Sequence, residues 1–343
     1  MTVKRIIFCG DTFLRTRDVG DPLAEIRPTF QNASVCLNLE TALSGVCQKE
    51  KNVTLSIDEV GLDWLTGEIQ ILTIVNNHVN DSDDPKRLAH ALIERGKTVI
   101  GSENPSVTNV KVNGLNVTFL AAYFALPRLR MSYNGDLADT LERMLRNSKA
   151  ERKILNLHWG YEHTSIPSPF QKNLARRLID AGADLIIGHH PHVPQGLEVY
   201  NGKTIFYSLG NFNFWQLDGK TSENNRWGYM VDYDLLSGNV TPVPYRINDN
   251  YQPFPVSHEE KAALLLQLQQ LNEALLNIDD QKWFMTQYDS WYCREVKVWK
   301  RRCLARLSPT LWVKWIIWLC LPMQLRYYCY SVQTFFLNKF QEN

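Results

Sequence analysis

Six of the eight histidines fall within three short segments: Asn76-Asn77-His78, His158-Trp159-Gly160-Tyr161-Glu162-His163 and Gly188-His189-His190-Pro191-His192. Two further segments bring carboxylates, Gly10-Asp11 and Asn38-Leu39-Glu40. Imidazole nitrogen with carboxylate oxygen is the donor mixture that borderline divalent metals such as zinc, manganese and iron prefer. His190 and His192 stand two apart, so an extended chain turns both to one side. Each member alone has a plainer explanation. Asp11 after a glycine can cap the next turn, Asn38 and Asn77 can be turn residues, and a lone histidine can be a satisfied core or surface group. Five such segments in one chain favour a metal cleft.

Each of the five segments ends a run that reads as a strand. A strand end lets a side chain project from a rigid sheet edge into a shared cleft. The apolar, β-branched runs predict strands over 3–9, 34–39, 69–75, 153–157 and 184–187. Helical spacing predicts helices near 22–30, 58–67, 84–95, 135–147 and 169–181. Alternation of the two is the pattern of an α/β fold. Asn113-Gly114 and Asn201-Gly202 each separate two short β-like runs, which predicts two hairpins with type I′ turns. A purely parallel nucleotide-binding sheet is thereby disfavoured, and neither GxGxxG nor GxxxxGK[ST] occurs. After Pro255 the texture changes. Ser257-His258-Glu259-Glu260 reads as a capping box, followed by Leu264, Leu265, Leu268, Leu271 and Leu275 at helical spacing.

The chain has 343 residues, long enough at roughly 150 residues per domain for two units or one large domain with an appendage. With 37 basic against 36 acidic residues, the net charge is +1, and no nucleic acid is expected as a partner. Seven scattered cysteines without a CxxC pair argue against a disulfide framework or a zinc ribbon and for reduced thiols in the cytosol. The apolar run 6–9 stops at Gly10-Asp11, too short for a signal peptide, so a cytoplasmic protein is expected.

The ordered set Gly10-Asp11, Asn38-Leu39-Glu40, Asn76-Asn77-His78 with Asp81, His158-Trp159-Gly160 with Glu162, His190-Pro191-His192 after Gly188, and Tyr207-Ser208-Leu209-Gly210-Asn211-Phe212 resembles the capsule synthesis protein CapA family, the poly-γ-glutamate synthesis group. That family lies within the calcineurin-like metallophosphoesterase superfamily. The resemblance runs from about residue 4 to residue 215. It implies a four-layer α/β/β/α sandwich over residues 1–250, and the change of texture after Pro255 adds a mainly helical, aromatic and basic extension over 256–343. One or two divalent ions (Mn, Fe or Zn) are implied, held by Asp11, Glu40, Asn77, His158, His190 and His192. His78 is implied as general acid, Glu162 as its acid/base companion or an imidazole-orienting group, and Asp81 as a partner that fixes one imidazole tautomer. Asn38, His163, His189, Ser208 and Asn211 stand around the metals or the substrate, His163 and His189 departing from the residues common there. The superfamily's opening Asp-x-His is here Asp11-Thr12-Phe13, so one metal position loses a histidine.

A metal-dependent phosphoester hydrolase or transferase in capsule or other anionic polymer assembly is the implied function. Two alternatives stand beside it: a non-catalytic accessory or polymer-binding subunit of a synthase, and a metal-free acid/base enzyme such as an epimerase. The expected substrate is an anionic polymer or phosphoester. Lys297, Lys300, Arg301, Arg302 and Arg306 precede a tryptophan-rich apolar run of nine residues after Lys314, short of the about 20 that span a bilayer. Such a segment suits the inner face of an anionic membrane, contact with polymer-synthase subunits, or packing on the catalytic domain.

Overall fold

The structure is a computed structural model and describes residues 5–13, 21–44, 55–65, 67–78, 81–82, 84–101, 103–112, 114–124, 135–215 and 222–294. The basic, tryptophan-rich segment from Lys297 onward lies outside these residues. By its contacts the chain divides into two units, 1–125 with 134–276, and 126–133 with 277–343.

The first unit opens with β1 (Arg5–Phe13), β2 (Ser34–Leu39), the short pair β3 (Ala42–Leu43) and β4 (Ser56–Ile57), then β5 (Ile69–Thr73), α1 (Pro85–Glu94) and β6 (Thr98–Ile100). It continues with the hairpin β7 (Ser106–Val112) and β8 (Leu115–Tyr123), α2 (Gly135–Asn147), β9 (Arg152–His158), α3 (Pro169–Asp180) and β10 (Leu185–His189). Then come β11 (Leu197–Tyr200), β12 (Lys203–Phe206), β13 (Asn211–Phe214), β14 (Trp227–Asp234), β15 (Val240–Ile247), β16 (Pro253–Pro255) and α4 (His258–Asn277). One sheet has the order β16-β15-β14-β1-β2-β5-β6 with β13 added alongside β1, and the other β11-β12-β10-β9-β8-β7.

The sheets face each other through a core that includes Ile6, Phe8, Cys36 and Ile71 from one and Phe119, Ile154, Ile187 and Phe206 from the other. Residues of opposite parity, such as Ile7, Val35 and Leu37, turn outward to α1 through Leu88 and Leu92. The outer face of the second sheet, with fully buried Leu120, Leu155 and Ile186, is covered by α2 and α3 through Leu141, Leu145, Leu174 and Leu178. The result is the α/β/β/α layering that the motifs imply. Local chemistry starts the helices: Asp84 caps α1 ahead of Pro85, and Ser168 with Gln171 forms a reciprocal capping box ahead of Pro169. Leu264 and Leu268 of α4 are buried in the inter-sheet core.

Two expected helices are absent. Over 22–30 only a 3-10 turn, Arg27–Phe30, forms, because Pro22 and Pro28 each remove an amide donor. Over 58–67 only Val60–Leu62 turns, in a stretch interrupted by Gly61 and Gly67. The Asn201-Gly202 turn has φ values of 48° and 71°, as a type I′ hairpin needs. In the second unit, a short helix Asp280–Trp283 runs into a π turn, Phe284–Tyr288, whose two end rings stack at 4.7 Å. Among the described residues no helix is long and apolar enough to cross a membrane.

Candidate metal centre

The six motifs converge at one edge of the sandwich. Parallel strands β1, β2, β9 and β10 run the same way within their sheets, so their last residues share that edge. Close backbone approach brings the third contributor, the 207–211 segment. A Cβ on Gly10 would stand 2.0 Å from the Gly210 oxygen, and one on Gly188 2.0 Å from the Tyr207 oxygen. Only glycine fits at either place. Asp11 N donates to Gly210 O at 2.9 Å, and β13 then pairs in parallel with β1, Asp11 opposite Asn211.

Asp11 is fully buried and surrounded by donors. Asn38 Nδ2 lies 2.9 Å and His189 Nδ1 3.0 Å from its Oδ1, while His190 N lies 3.1 Å and His192 Nδ1 3.3 Å from its Oδ2. Burial works to raise its pKa, but the His189 bond, the neighbouring imidazoles and Asn38 bring it down to about 2. Glu40 has the opposite balance. Burial first, then Asp11, pushes its carboxyl well above the usual range, although Asn38 Nδ2 donates to its Oε1 at 3.0 Å.

The imidazoles are held in defined tautomers. Asn77 Oδ1 sits 2.7 Å from His158 Nε2 and can only accept, so Nε2 carries the proton and Nδ1 presents a lone pair, 3.8 Å from Glu40 Oε1. Asn211 Oδ1 likewise accepts from His192 Nδ1 at 2.9 Å, leaving Nε2 as a lone pair 3.8 Å from Glu40 Oε2. His158 and His190 have ring centroids 4.7 Å apart. Burial lowers the His158 pKa well below its ordinary value and that of His190 to about 4, so both are neutral at pH 7. Although burial works to raise Glu162, His190, His192, His163 and His78 together hold it below the usual range.

Glu40 Oε2, His158 Nδ1 and His190 Nδ1 are buried with no hydrogen-bond partner. Burial leaves these polar atoms unsatisfied, with Glu40 Oε1 and Oε2 each 3.8 Å from an imidazole nitrogen, and a cation lying among them would satisfy them. Two ligand-capable groups result, Asp11/Glu40/His192 and Glu162/His190/His192, each with its donor atoms within 4.8 Å of one another. They share His192. The donor set therefore fits a divalent metal of the borderline class.

Other expected residues stand close by. His78 Nδ1 lies 2.7 Å from Asp81 Oδ2, which also accepts from Leu55 N at 2.9 Å. His189 meets Asp11 through its ring, as above. Ser208 Oγ donates to Val193 O at 2.8 Å and accepts from Gly210 N at 3.3 Å, so it ties the turn together. His163 lies at the exposed rim with its ring centroid 6.3 Å from that of His192. Phe13, where the superfamily's histidine is missing, packs on Phe214 at 5.9 Å, and Phe214 packs on His192 at 4.4 Å. An aromatic wall occupies that side of the centre.

Two features had no sequence signal. His163, His190 and His192 have φ values of 58°, 95° and 58°, left-handed backbone that costs a non-glycine residue about 1–3 kcal/mol each. Asn225, from a distant turn, donates to the His192 oxygen at 2.9 Å. Asn76 was visible within its motif, and its task is local: it donates to Leu39 O at 2.9 Å and accepts from His78 N at 3.0 Å.

Two mixed sheets between helices, with this cluster at their strand ends, make a four-layer α/β/β/α sandwich with a candidate metal centre at one edge. Residues 5–216 match the family of the bacterial capsule synthesis protein PGA_cap, and the chain belongs to that family. It is 33% identical over 231 residues to the capsule biosynthesis protein CapA of Bacillus anthracis, covering 61% of this chain and 55% of that protein. The PGA biosynthesis protein CapA of Bacillus subtilis (strain 168) is 55% identical over 99 residues, 27% of this chain and 25% of that one. The match thus spans about half the length of the first relative and a quarter of the second. Among solved structures, a novel phosphatase from Mycoplasma pneumoniae is similar at a TM-score of 0.49 and 13% identity, over 76% of this chain and 98% of that one.

Proposed function

We propose that this chain is a metal-dependent phosphoester hydrolase or transferase acting in the assembly of an anionic capsule polymer. The observation that carries the reading is the set of three buried, partnerless atoms on Glu40, His158 and His190, in the cluster that also holds Asp11 and His192. Asp11, Glu40, His158, His190 and His192 would hold a Mn, Fe or Zn ion, with Asn77 and Glu162 beside them. Bound there, the ion would supply positive charge for a phosphoryl oxygen and acidify a water near neutral pH.

The protein's own groups do the rest. Asn77 and Asn211 each fix one histidine tautomer through an amide oxygen, so the lone pairs face the centre without rotamer search. The buried Asp81 carboxylate lies 2.7 Å from His78 Nδ1 and fixes the ring, leaving Nε2 as the atom that would pass a proton to a leaving oxygen.

The purified chain is expected to release nitrophenol from bis(p-nitrophenyl) phosphate. Asn77→Ala combined with His78→Ala should slow that turnover by about 10²–10⁴-fold, the usual worth of a positioned general acid. Unchanged turnover in the double variant would overturn the assignment. Metal uptake with no turnover in the wild type would contradict the hydrolase reading and favour a binding subunit of a polymer synthase.

A further inference from the structure

Asn225 closes the 3-10 turn Glu223–Asn225, downstream of the residues that match the family, and is 4% exposed. Its Nδ2 donates to the His192 main-chain oxygen at 2.9 Å and lies 3.3 Å from His163 Nδ1. Ser222 Oγ donates to its Oδ1. A main-chain oxygen can only accept, so the amide orientation is settled: nitrogen toward the two histidines, oxygen toward the serine.

A consequence follows for His163. The amide nitrogen has two N–H groups and no lone pair to give, so its bond to Nδ1 requires that nitrogen to be unprotonated. The proton of neutral His163 then sits on Nε2. The same residue is tied to the histidine loop by its main chain, His163 N donating to Pro191 O at 2.8 Å. One side chain thus braces both left-handed residues, His163 and His192, whose φ values are 58°. Replacing it with an apolar residue would leave the buried His192 oxygen without that donor.

We propose that Asn225 is a positioning residue of this centre: it holds the His192 turn and fixes His163 as an Nε2–H donor to an oxygen of a phosphate-type anion bound beside His192. Only the identity of the anion rests on the phosphoester reading; the tautomer does not.

The test uses the full chain with ¹⁵N-labelled histidine, free of metal. In a long-range imidazole ¹H–¹⁵N spectrum, His163 Nδ1 is expected at the shift of an unprotonated nitrogen and Nε2 at that of a protonated one. In Asn225→Asp, whose carboxylate only accepts, the proton is expected to move to Nδ1. A wild-type His163 protonated on Nδ1, or a tautomer indifferent to Asn225→Asp, would overturn the positioning role even in a fully folded variant. With Mn²⁺ present, His163→Phe is expected to weaken inorganic phosphate binding about tenfold, the loss of one charge-assisted hydrogen bond, while leaving Mn²⁺ affinity intact. Unaltered phosphate affinity in that variant would overturn the donor role. A wild type that binds no phosphate would remove the anion together with the phosphoester reading, while the spectrum still decides what Asn225 does.

Discussion

Asp11→Asn is expected to weaken Mn²⁺ binding at least about a hundredfold and to abolish any phosphodiester turnover. The lower bound comes from outer-sphere partners, whose loss alone costs about 10–100-fold, and Asp11 is a charged member of the donor set itself. The substitution keeps shape but not acceptor capacity. Asn38, His189 and His190 N all point donors at the two oxygens of Asp11. An amide offers one oxygen and places an NH₂ against the remaining donors, so at least one buried donor loses its partner, worth about 1–3 kcal/mol of stability. Titration calorimetry reads the first effect, and urea unfolding of the metal-free protein the second. Full Mn²⁺ affinity in the variant would mean that the carboxylate serves only to brace the β10 loop.

His190→Gly has an expected effect that runs in opposite directions for binding and for stability. The residue sits at φ 95°, where glycine relieves about 1–3 kcal/mol of backbone strain. It also offers a buried, partnerless Nδ1, so its loss should cost the centre a ligand. The acid response carries the sharper prediction. Burial lowers the His190 pKa from 6.5 to about 4. In the unfolded chain the group protonates as pH drops below 6.5, while in the folded chain it resists until about 4. The folded state is therefore at full advantage above pH 6.5 and loses it progressively as pH falls toward 4. For this group alone the loss reaches about 2 kcal/mol by pH 5. Measured in chelator between pH 7.5 and pH 5, the glycine variant should lose about 2 kcal/mol less stability than the wild type. Parallel curves for the two proteins would contradict a buried neutral His190.

Much of this was legible because the features are local. The strand Ser34–Leu39 and the helix Gly135–Asn147 fall where the apolar patterns place them, since each pattern matches one period without interruption. The expected helices over 22–30 and 58–67 dissolve into turns for an equally local reason, proline and glycine punctuation, which outweighed the helical spacing. The Asn211–Phe214 strand was harder: it is not among the runs whose apolar pattern predicts a strand, and only pairing with β1 makes it one. The candidate centre was visible as residue types at strand ends. What the sequence does not display is the spatial part. Left-handed backbone at three histidines leaves no mark in residue type, Asn225 reaches His192 across 33 positions, and Phe13 tells of a missing ligand but not of the aromatic wall it joins.

Elemental analysis of the chain purified without chelators, beside Asp11→Asn prepared the same way, tests the central claim most directly. The account predicts at least one Mn, Fe or Zn per wild-type chain and a clear deficit in the variant. Equal metal content in the two, or none in either after the wild type has been offered all three ions, would contradict a metal centre at these strand ends.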